Sequence, residues 1–399
     1  MKIRILKLVL LSFSLVILMT SCNKTQDITP QFQRCGNGLA LVGGNLVIAG
    51  YNSTSGNGYD ATLVMANPET GDTLWTKTYG NSYSDAFYSV KKSTKGGIVA
   101  AGFTNRANAS SPAMLLVITD IKGKLVNSKT YGGSAYSQGF NVLPTADSGY
   151  LVSGYIQKNS NSDRDIYLVK TNISGDTLWT KSFGAKSTNP YDTVNDAAYG
   201  VIAAPDGGYF VTGSLNGYTQ DGGKIFLKKL SSVGEELWSK TYGIGIGYSI
   251  SLTHDNGKGE VNGIAISGSL QEGSSQDIFL LKTDLDGKKL WAKSYGGSGF
   301  EYGASMIETT GGGFAITGIT DSKGAGMQDA YLILTDAAGT STADPTYGGS
   351  DNDQGFGIVE MPDKGFAITG LSNTGGSFIF LNRVKANGSQ YWASPKYLP

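Results

Sequence analysis

The sequence contains few of the residues from which catalytic and metal sites are most often built. Its 399 residues include two cysteines and one histidine, which cannot supply the ligands of a structural zinc site at the usual spacing. The histidine, His254, lies in the stretch 253–257, whose composition is typical of a turn. Neither a nucleophile-elbow motif nor a phosphate-binding loop ending in Lys-Ser/Thr is present. We therefore expect no metal site, no cofactor and no enzymatic activity.

The chain carries no excess of charge of either sign. Lysine and arginine together number 32, and aspartate and glutamate together also number 32. A nucleic-acid-binding domain usually presents a clustered basic surface that neutralises phosphates, and no aromatic and basic cluster stands out here. The sequence therefore predicts that nucleic acid is not a partner of this protein.

Proline is scarce, and helical periodicity is absent beyond residue 22. Ten prolines stand beside 57 glycines, and the glycine content is about twice the average for globular proteins. Recurring apolar stretches exclude a disordered chain. Because none of these stretches keeps a 3.6-residue period, the sequence predicts almost no helix.

The one long apolar run lies at the N-terminus. Residues 1–7 carry three basic side chains, residues 8–19 are mostly apolar, and Ser21 precedes Cys22. Such a segment is typical of a secretory signal and is short for a membrane span. A cysteine directly after a small residue resembles the cleavage box of bacterial lipoproteins. The resemblance implies that residues 1–21 are removed, that Cys22 is acylated, and that residues 22–33 form a polar tether.

These features predict a lipid-anchored protein of the cell envelope, held at the outer membrane on a side that the sequence does not specify. An ordinary signal peptide with an incidental cysteine is the alternative. Acylation of Cys22 leaves Cys35 without a disulfide partner. We expect Cys35 to be a buried, small apolar side chain, the alternative being a reactive thiol.

A repeat of about 52 residues dominates the rest of the chain. Its clearest marker is an aromatic residue followed by glycine, and the spacing assigns a seventh aromatic, Tyr397, to the same position in the last period. The steps between the seven aromatics are 52, 52, 59, 53, 52 and 50 residues. The aromatic–Gly pairs begin at Tyr79, Tyr131, Phe183, Tyr242, Tyr295 and Tyr347.

Each period contains four short segments that are typical of β-strands. One is an apolar segment closed by glycines, as in residues 149–154, and another contains Leu-Trp-x-Lys, as in residues 178–181. Four strands per period predict an all-β fold, a seven-bladed β-propeller of four-stranded antiparallel blades. Seven periods of 52 residues need 364 residues, the number in the range 36–399. We place the propeller at residues 34–399, and the alternative fold is an open β-solenoid.

The ends of the repeat predict how the ring closes. Residues 38–50 align with residues 357–370 when one residue is deleted, so the first period begins near residue 33. Every blade is then built from contiguous sequence. We expect the last blade to pack against the first without exchange of a strand.

The segment Thr70-Gly71-Asp72-Thr73-Leu74-Trp75 resembles the tryptophan-docking repeat of quinoprotein-like, PQQ-type propellers. By that resemblance the tryptophans lie on outer strands and are wedged against the next blade, in a structural role. The whole repeat also resembles propeller lipoproteins of Bacteroidetes-type envelopes. The tryptophans concerned are Trp75, Trp179, Trp238 and Trp291.

Polar residues recur just after the aromatic–Gly pairs, where the chain enters the strand next to the central channel. Repetition around the ring would bring them to one mouth of that channel, as contacts for a ligand. The alternative is that they accept hydrogen bonds from backbone N–H groups of the turns between blades. These candidate channel-mouth residues are Asp85, Gln138, Asp196, Glu301 and Asp353.

The leading functional prediction is a non-catalytic, protein-binding scaffold in an outer-membrane assembly, secretion or uptake complex. The longest period contains extra residues at 185–195, a candidate contact loop. One alternative is a glycan or small-ligand binder. Another is a hydrolase or lyase with two carboxyl groups about 5–10 Å apart at the channel mouth. The aromatic platform of the glycan binder would be Tyr83, Tyr136, Tyr248 and Tyr302.

Overall fold

The computed structural model describes most of the chain from residue 34 onward. The predicted signal segment, Cys22 and the tether lie outside the described residues, as does most of the predicted contact loop at 185–195. No helix within the described part has the length and apolarity needed to cross a membrane. The described ranges are 34–53, 58–81, 83–105, 112–158, 163–184, 194–216, 223–257, 259–272, 275–373 and 376–398.

The described chain is an all-β propeller built from successive groups of strands, and the strands within each group pair antiparallel. We group the strands into units 1 to 7. Units 1 to 3 comprise β1 (Arg34–Val42), β2 (Asn45–Asn52), β3 (Asp60–Ala66), β4 (Thr73–Tyr79); β5 (Asp85–Lys92), β6 (Ile98–Asn105), β7 (Pro112–Thr119), β8 (Leu125–Tyr131); and β9 (Tyr136–Pro144), β10 (Tyr150–Gln157), β11 (Arg164–Thr171), β12 (Thr177–Phe183).

Units 4 and 5 share one strand. Their strands are β13 (Ala197–Ala203), β14 (Tyr209–Leu215), β15 (Lys224–Leu230), β16 (Glu236–His254), β17 (Val261–Glu272), β18 (Ser275–Thr283) and β19 (Lys289–Tyr295). Units 6 and 7 comprise β20 (Glu301–Glu308), β21 (Phe314–Thr320), β22 (Asp329–Thr335), β23 (Ser341–Ala343), β24 (Thr346–Tyr347); and β25 (Asp353–Glu360), β26 (Phe366–Ser372), β27 (Phe378–Val384), β28 (Lys396–Leu398). The one described helix is the single 3₁₀ turn Asp255–Gly257, as the lack of helical periodicity predicts.

The strands form six sheets rather than seven separate ones. The reason is the 19-residue strand β16, whose first half pairs with β15 and whose second half pairs with β17. Units 4 and 5 are therefore one continuous seven-stranded sheet. In unit 6 the outer strand is broken into β23 and β24, which both pair with β22, at the place where the Leu-Trp motif is lost from the sequence.

Burial follows the position of a strand in its unit. The second strands are buried along almost their whole length, as in β6, whereas the outer strand β4 is mostly exposed. Strands covered on both faces read as continuous apolar runs, and this is why the glycine-closed segments are so apolar. Each hydrophobic cluster combines side chains of adjacent units, so face-to-face packing of units holds the propeller together.

The inner strands contact one another in a closed ring. Each first strand packs against the first strand of the next unit, and β25 of unit 7 packs against β1 of unit 1. Leu46 and Ile48 of unit 1 share a cluster with Ile379 and Leu381 of unit 7. Each described strand of units 1 and 7 pairs within its own unit, so closure occurs by packing and without strand exchange.

The register of the last strand differs from the expectation. Ile379 pairs with Leu398, whereas the equivalent Ile166 of unit 3 pairs with Phe183, the aromatic of its aromatic–Gly pair. Leu398 therefore takes the repeat position assigned above to Tyr397, and that assignment is wrong by one residue. Burial explains the choice, because Leu398 is buried and Tyr397 is exposed.

A β-bulge interrupts every inner strand at the same place. The carbonyl before the bulge then lies against the glycine of the second strand, and a Cβ on that glycine would come within 1.7–2.0 Å of the oxygen in all seven units. Close approach of backbone therefore requires glycine at the end of each apolar segment. The bulged residues are Asn37, Tyr88, Phe140, Tyr199, Tyr248, Ala304 and Phe356.

Candidate functional site

The four acidic candidates lie at or directly beside the start of an inner strand and are fully buried. Asp85, Glu301 and Asp353 are the first residues of β5, β20 and β25, and Asp196 directly precedes β13. All four have 0% exposure. They are therefore closed off from solvent in this structure and do not form an open ring of ligand contacts.

Three of these carboxylates bind the turn that follows the aromatic–Gly pair, whereas that of Asp196 accepts a hydrogen bond from the Asn216 backbone N–H at 2.8 Å. Asp85 accepts a hydrogen bond from the backbone N–H of Asn81 at 2.8 Å, and Asp353 accepts one from Gly349 at 2.8 Å. Glu301 accepts one from Gly297 at 3.0 Å and a second from the Thr320 hydroxyl at 2.7 Å. The structure thus corrects the channel-mouth assignment in favour of the turn-stabilising alternative.

Gln138 is not equivalent to the four acids. Ser137 pairs with Ile156 as Asp85 pairs with Thr104, so Ser137 holds the acidic position in unit 3. Its hydroxyl donates to the Tyr131 carbonyl at 2.9 Å. The serine therefore binds the backbone next to the aromatic–Gly pair as a hydrogen-bond donor, where the carboxylates of units 2, 6 and 7 are acceptors, and the prediction selected its neighbour Gln138 instead.

Two carboxylates meet at the junction of units 6 and 7. A Cβ on Gly348 would lie 2.6 Å from an oxygen of Asp353 and 2.7 Å from an oxygen of Asp329, so these two oxygens lie within about 5.3 Å of each other. Burial raises the pKa of both carboxyls, and the charge of Asp353 raises that of Asp329 further. The separation would suit a glycosidase, but both residues are buried and accept hydrogen bonds from backbone N–H groups. A substrate cannot reach them in this arrangement.

Burial also perturbs Asp85. It raises the pKa of this carboxyl from 3.8 to about 6, the charge of Asp60 contributes in the same direction, and hydrogen bonds from Thr104 and Asn81 oppose the rise. A carboxyl whose pKa is raised in the folded state binds more protons folded than unfolded. Its contribution to stability is therefore full at acidic pH and is lost as the pH rises from about 4 to about 6.

We expect Asp85→Asn to remove this pH dependence. The amide keeps an oxygen for the Asn81 N–H and carries no charge. The free energy of unfolding of Asp85→Asn should exceed that of the wild type by up to about 2–3 kcal/mol at pH 7.5, and the difference should vanish near pH 4. Denaturant titrations at several pH values measure it. Asp85→Ser, which copies Ser137 of unit 3, should show the same pH-independence, and parallel pH profiles for all three proteins would contradict the assignment.

Aromatic side chains form a belt of contacting rings on the inner strands. Ring centroids are 5.4 Å apart for Tyr88 and Phe140, 4.7 Å for Phe140 and Tyr199, 5.0 Å for Tyr199 and Tyr248, and 4.5 Å for Tyr248 and Tyr302. The belt runs through units 2 to 6. Four of its rings belong to bulged residues. Because a bulge changes the direction of the side chain it carries, the bulges turn these rings toward each other.

The belt changes the interpretation of the predicted aromatic platform. Tyr248 and Tyr302 are buried in the belt, Tyr136 is half-buried, and only Tyr83 is largely exposed. Rings that contact one another leave little face for a sugar to stack on. A stacking platform for a glycan needs exposed rings, so the assignment of Tyr248 and Tyr302 to that platform is wrong.

The four predicted structural tryptophans lie on outer strands and contact the next unit. A Cβ on Gly234 would lie 2.8 Å from the ring of Trp179, and a Cβ on Gly287 would lie 2.8 Å from the ring of Trp238. Trp75 and Trp291 lie in the same way on Gly123 and Gly339. Each of these glycines has positive φ and forms the turn between the third and fourth strands of its unit.

The aromatic of the aromatic–Gly pair binds the same turn. The hydroxyl of Tyr79 donates to the Gly123 carbonyl at 2.6 Å, and that of Tyr242 donates to the Gly287 carbonyl at 2.6 Å. Burial raises the pKa of Tyr242 to about 12. In units 1, 4 and 5 a tryptophan and a tyrosine thus both contact one glycine of the next unit, whereas unit 3 has Phe183 and unit 7 has Leu398 at the tyrosine position. We call the packing of the tryptophan ring on this glycine, with or without the tyrosine hydroxyl, the glycine clasp. The Leu-Trp motif and the aromatic–Gly pair are separate features of the sequence, and in the structure both contact the same glycine in units 1, 4 and 5.

Trp392 is a structural tryptophan that the spacing missed. Its ring would contact a Cβ on Gly71 at 2.9 Å, and its indole N–H donates to the Glu69 carbonyl at 2.7 Å. Glu69 and Gly71 belong to unit 1, so Trp392 makes the glycine clasp across the closure of the ring. It lies six residues before Leu398, which holds the position of the aromatic, instead of the four found elsewhere, and this hid it from a fixed-period comparison.

Arg383 reinforces the same closure. Its guanidinium donates to the Pro68 carbonyl at 2.7 Å and forms salt bridges with Glu69 at 2.8 Å and Asp363 at 2.7 Å. The side chain is buried and lies 3.9 Å from the ring centroid of Tyr391. The hydrogen bond to Arg383 lowers the pKa of Glu69. Units 7 and 1 are therefore joined by polar as well as apolar contacts.

His254 is not a turn residue. It ends β16, and its Nδ1 lies 2.7 Å from Oε2 of Glu308, whose other oxygen accepts the His254 backbone N–H at 2.8 Å. Among the described residues no group of three or more His, Cys, Asp or Glu side chains could hold a metal ion. Cys35 is buried, and its thiol lies 3.3 Å from Oδ1 of Asn37.

Exposed apolar side chains, mostly leucines, form a repeated feature of the outer strands. In units 1, 3, 4 and 5 a leucine directly precedes the tryptophan position of the glycine clasp, and in unit 2 Val126 directly precedes Asn127. Large apolar side chains at the surface are ordinary when scattered singly, but here one position, 50–67% exposed, repeats in five consecutive units. This leucine row consists of Leu74, Val126, Leu178, Leu237 and Leu290.

No protein-family model and no curated protein matches the chain. A protein of unknown function from Bacteroides caccae is 15% identical with a TM-score of 0.46, over 80% of this chain and 94% of that chain. The quinohemoprotein alcohol dehydrogenase from Comamonas testosteroni is 11% identical with a TM-score of 0.50, over 91% and 67%. The β-propeller domain of the Trilobed protease from Pyrococcus furiosus is 10% identical with a TM-score of 0.48, over 92% and 98%. At these identities the similarity shows a β-propeller and assigns no activity.

Proposed function

We propose that this protein is a lipid-anchored envelope lipoprotein whose propeller is a non-catalytic scaffold for another envelope protein. Cys22 carries the anchor, and the propeller stands off the outer membrane on the tether 22–33. The observation that carries the proposal is the leucine row, which presents apolar side chains at one repeated position of five consecutive outer strands. Repeated apolar side chains on a rigid surface suit protein association.

The interior of the ring supports the same proposal. The carboxylates that could serve catalysis are buried and accept hydrogen bonds from turns, and the aromatic rings that could stack on a sugar contact one another. The outer strands, by contrast, expose side chains that the fold itself does not need. A scaffold uses that outer surface, whereas a glycan binder or a hydrolase needs an accessible site in the ring.

We expect substitution of the leucine row to release the partner. Affinity capture of the acylated protein from gently solubilised membranes should recover a stoichiometric envelope partner, identified by mass spectrometry. Leu74→Asp with Leu178→Asp should reduce recovery at least tenfold, because each burial of a leucine contributes about 1.5–3 kcal/mol. The chain with Cys22→Ser should remain in the aqueous fraction.

The matched control is Thr73→Asp with Thr177→Asp. These exposed threonines precede the two leucines on the same strands, so the control adds the same charges at neighbouring positions. It should keep the partner. If the wild type is recovered alone at every detergent strength, the scaffold proposal fails; equal loss in both double variants would assign the effect to charge and not to the leucines.

A further inference from the structure

Two junctions of the propeller lack the indole of the glycine clasp, and in the one between units 2 and 3 no other ring replaces it. Outer strand β8 of unit 2 has Asn127 where units 1, 3, 4 and 5 have tryptophan. The rest of the motif is kept, since Lys129 and Tyr131 follow at the usual spacing and the Tyr131 hydroxyl donates to the Gly175 carbonyl at 2.7 Å. Only the ring is missing between units 2 and 3.

The turn of unit 3 shows the vacancy directly. The nearest atom to a Cβ on Gly175 would be Cγ of Lys129 at 3.0 Å, with the Tyr131 hydroxyl at 3.4 Å, whereas Gly234 in the next junction meets the Trp179 ring at 2.8 Å. Pro345 occupies the corresponding place in unit 6, where the tryptophan is also lost, and lies 3.0 Å from a Cβ on Gly388. In unit 2 no such replacement ring contacts the glycine.

A pocket of about 490 Å³ lies beside this position, lined by Asn127 and Ser174 but not by Gly175 itself. A volume of about 150 Å³ is enough to hold benzene, so this open pocket, whose lining also includes Lys95 and Asp120, has room for an indole. The lining includes Asn127, Val126, Ile121, Ile173 and Tyr150. Val126 and Ile121 are exposed apolar side chains at the opening, 67% and 37% accessible.

The floor of the pocket is already suited to an aromatic ring. Tyr150 is fully buried there, and its hydroxyl lies 2.7 Å from that of Ser93. The equivalent residue Tyr209 of unit 4 makes an edge contact with Trp179, at 6.3 Å between ring centroids. Edge-to-face pairs of this kind stabilise beyond the area they bury. Unit 3 thus keeps Tyr150, the residue equivalent to the one that contacts an indole in unit 4, although unit 2 has Asn127 in place of the tryptophan.

We propose that the pocket between units 2 and 3 binds a tryptophan side chain presented by a partner protein. The proposal rests on the scaffold function and deepens it, because Val126 of the pocket lining is itself a member of the leucine row and so joins the pocket to that surface. The partner's ring would lie against Asn127 and Ser174, beside Gly175, much as Trp179 lies on Gly234 in the next junction. The amide of Asn127, which donates to the Ser174 carbonyl at 2.5 Å, would be displaced or would remain at the edge of the ring.

The test uses the full propeller and a blocked Gly-Trp-Gly tripeptide, with blocked Gly-Ala-Gly as its control. Saturable NMR shift changes at residues around Asn127 and Ile173 should occur with the tryptophan peptide alone, at about millimolar affinity, as expected for a fragment of this size. Asn127→Trp should abolish them, since it fills the pocket from within. Trp179→Asn, which opens the same pocket in the next junction, should add a second set of shifts around Gly234.

Three results would overturn the proposal. They are no saturable change in the wild type, unchanged peptide binding in Asn127→Trp, and binding of free indole without binding of the blocked peptide, which would point to small aromatic molecules. Asn127→Trp in the capture experiment separates this proposal from the scaffold function. Undiminished capture by that variant removes the pocket and leaves the scaffold, whereas a wild type that captures nothing removes the scaffold itself.

Discussion

Trp392→Ala is expected to lower the free energy of unfolding by about 3–5 kcal/mol, the range for loss of a large aromatic side chain from a core. The indole is buried in the cluster that joins units 7 and 1 and holds both Gly71 and the Glu69 carbonyl. No peptide link joins these two units, so side-chain contacts alone close the ring there. Equilibrium denaturation measures the loss of stability, and native-state hydrogen exchange shows where the ring opens.

The matched control for the junction of units 7 and 1 is Trp179→Ala. Trp179 makes the same glycine clasp on Gly234, but units 3 and 4 are also joined by the chain itself. We expect Trp392→Ala to lose exchange protection in β1 and β28, and Trp179→Ala to keep protection in those strands. If Trp392→Ala instead loses hydrogen-exchange protection evenly over all units, the junction of units 7 and 1 is no weaker than the other junctions.

Gly234→Ala is expected to destabilise the protein by about 2–5 kcal/mol. Its φ of +79° places an L-residue in the left-handed region, which costs about 1–2 kcal/mol. The new methyl would also lie 2.8 Å from the Trp179 ring, and overpacking adds about 1–3 kcal/mol. The clasp would have to open to admit it, and thermal or denaturant unfolding measures the cost.

Gly207→Ala separates the two contributions. Gly207 lies in the same unit with φ +85°, and a Cβ there meets no atom within 4 Å. This variant should show the backbone cost alone, about 1–2 kcal/mol. Equal destabilisation by the two variants would mean that the tryptophan does not press on its glycine, and the glycine clasp would lose its packing component.

The sequence predicted the strands and their order because strand signals are local. Apolar segments of five or six residues, bounded by glycine and repeated every 52 residues or so, are readable without knowledge of the partner strand. The tryptophans were readable as structural for the same reason, since each stands in one short motif. The bulge was not readable, because a bulge is a relation between two strands, and only pairing showed why Gly102 or Gly154 tolerates no Cβ.

The candidate site was misread where exposure decided the outcome. Asp85 and Asp353 were correctly placed at the beginning of inner strands, but a one-dimensional pattern cannot distinguish a carboxylate facing a channel from one facing a backbone N–H four residues earlier. Tyr248 and Tyr302 were misjudged in the same way. Their burial depends on rings from other units, which lie about 50 residues away in the chain.

By itself the sequence determined the all-β class, the repeat length, the contiguous units and the positions of the tryptophans Trp75 to Trp291. Those properties follow from residue type and spacing within one period. Tertiary structure alone decided that units 4 and 5 merge through β16 and that Leu398, not Tyr397, takes the last repeat position. It also decided that Trp392 closes the ring and that a pocket lies beside Asn127. Each of these depends on contacts between units, and such contacts are set by how faces pack in space, which no single period of the sequence contains.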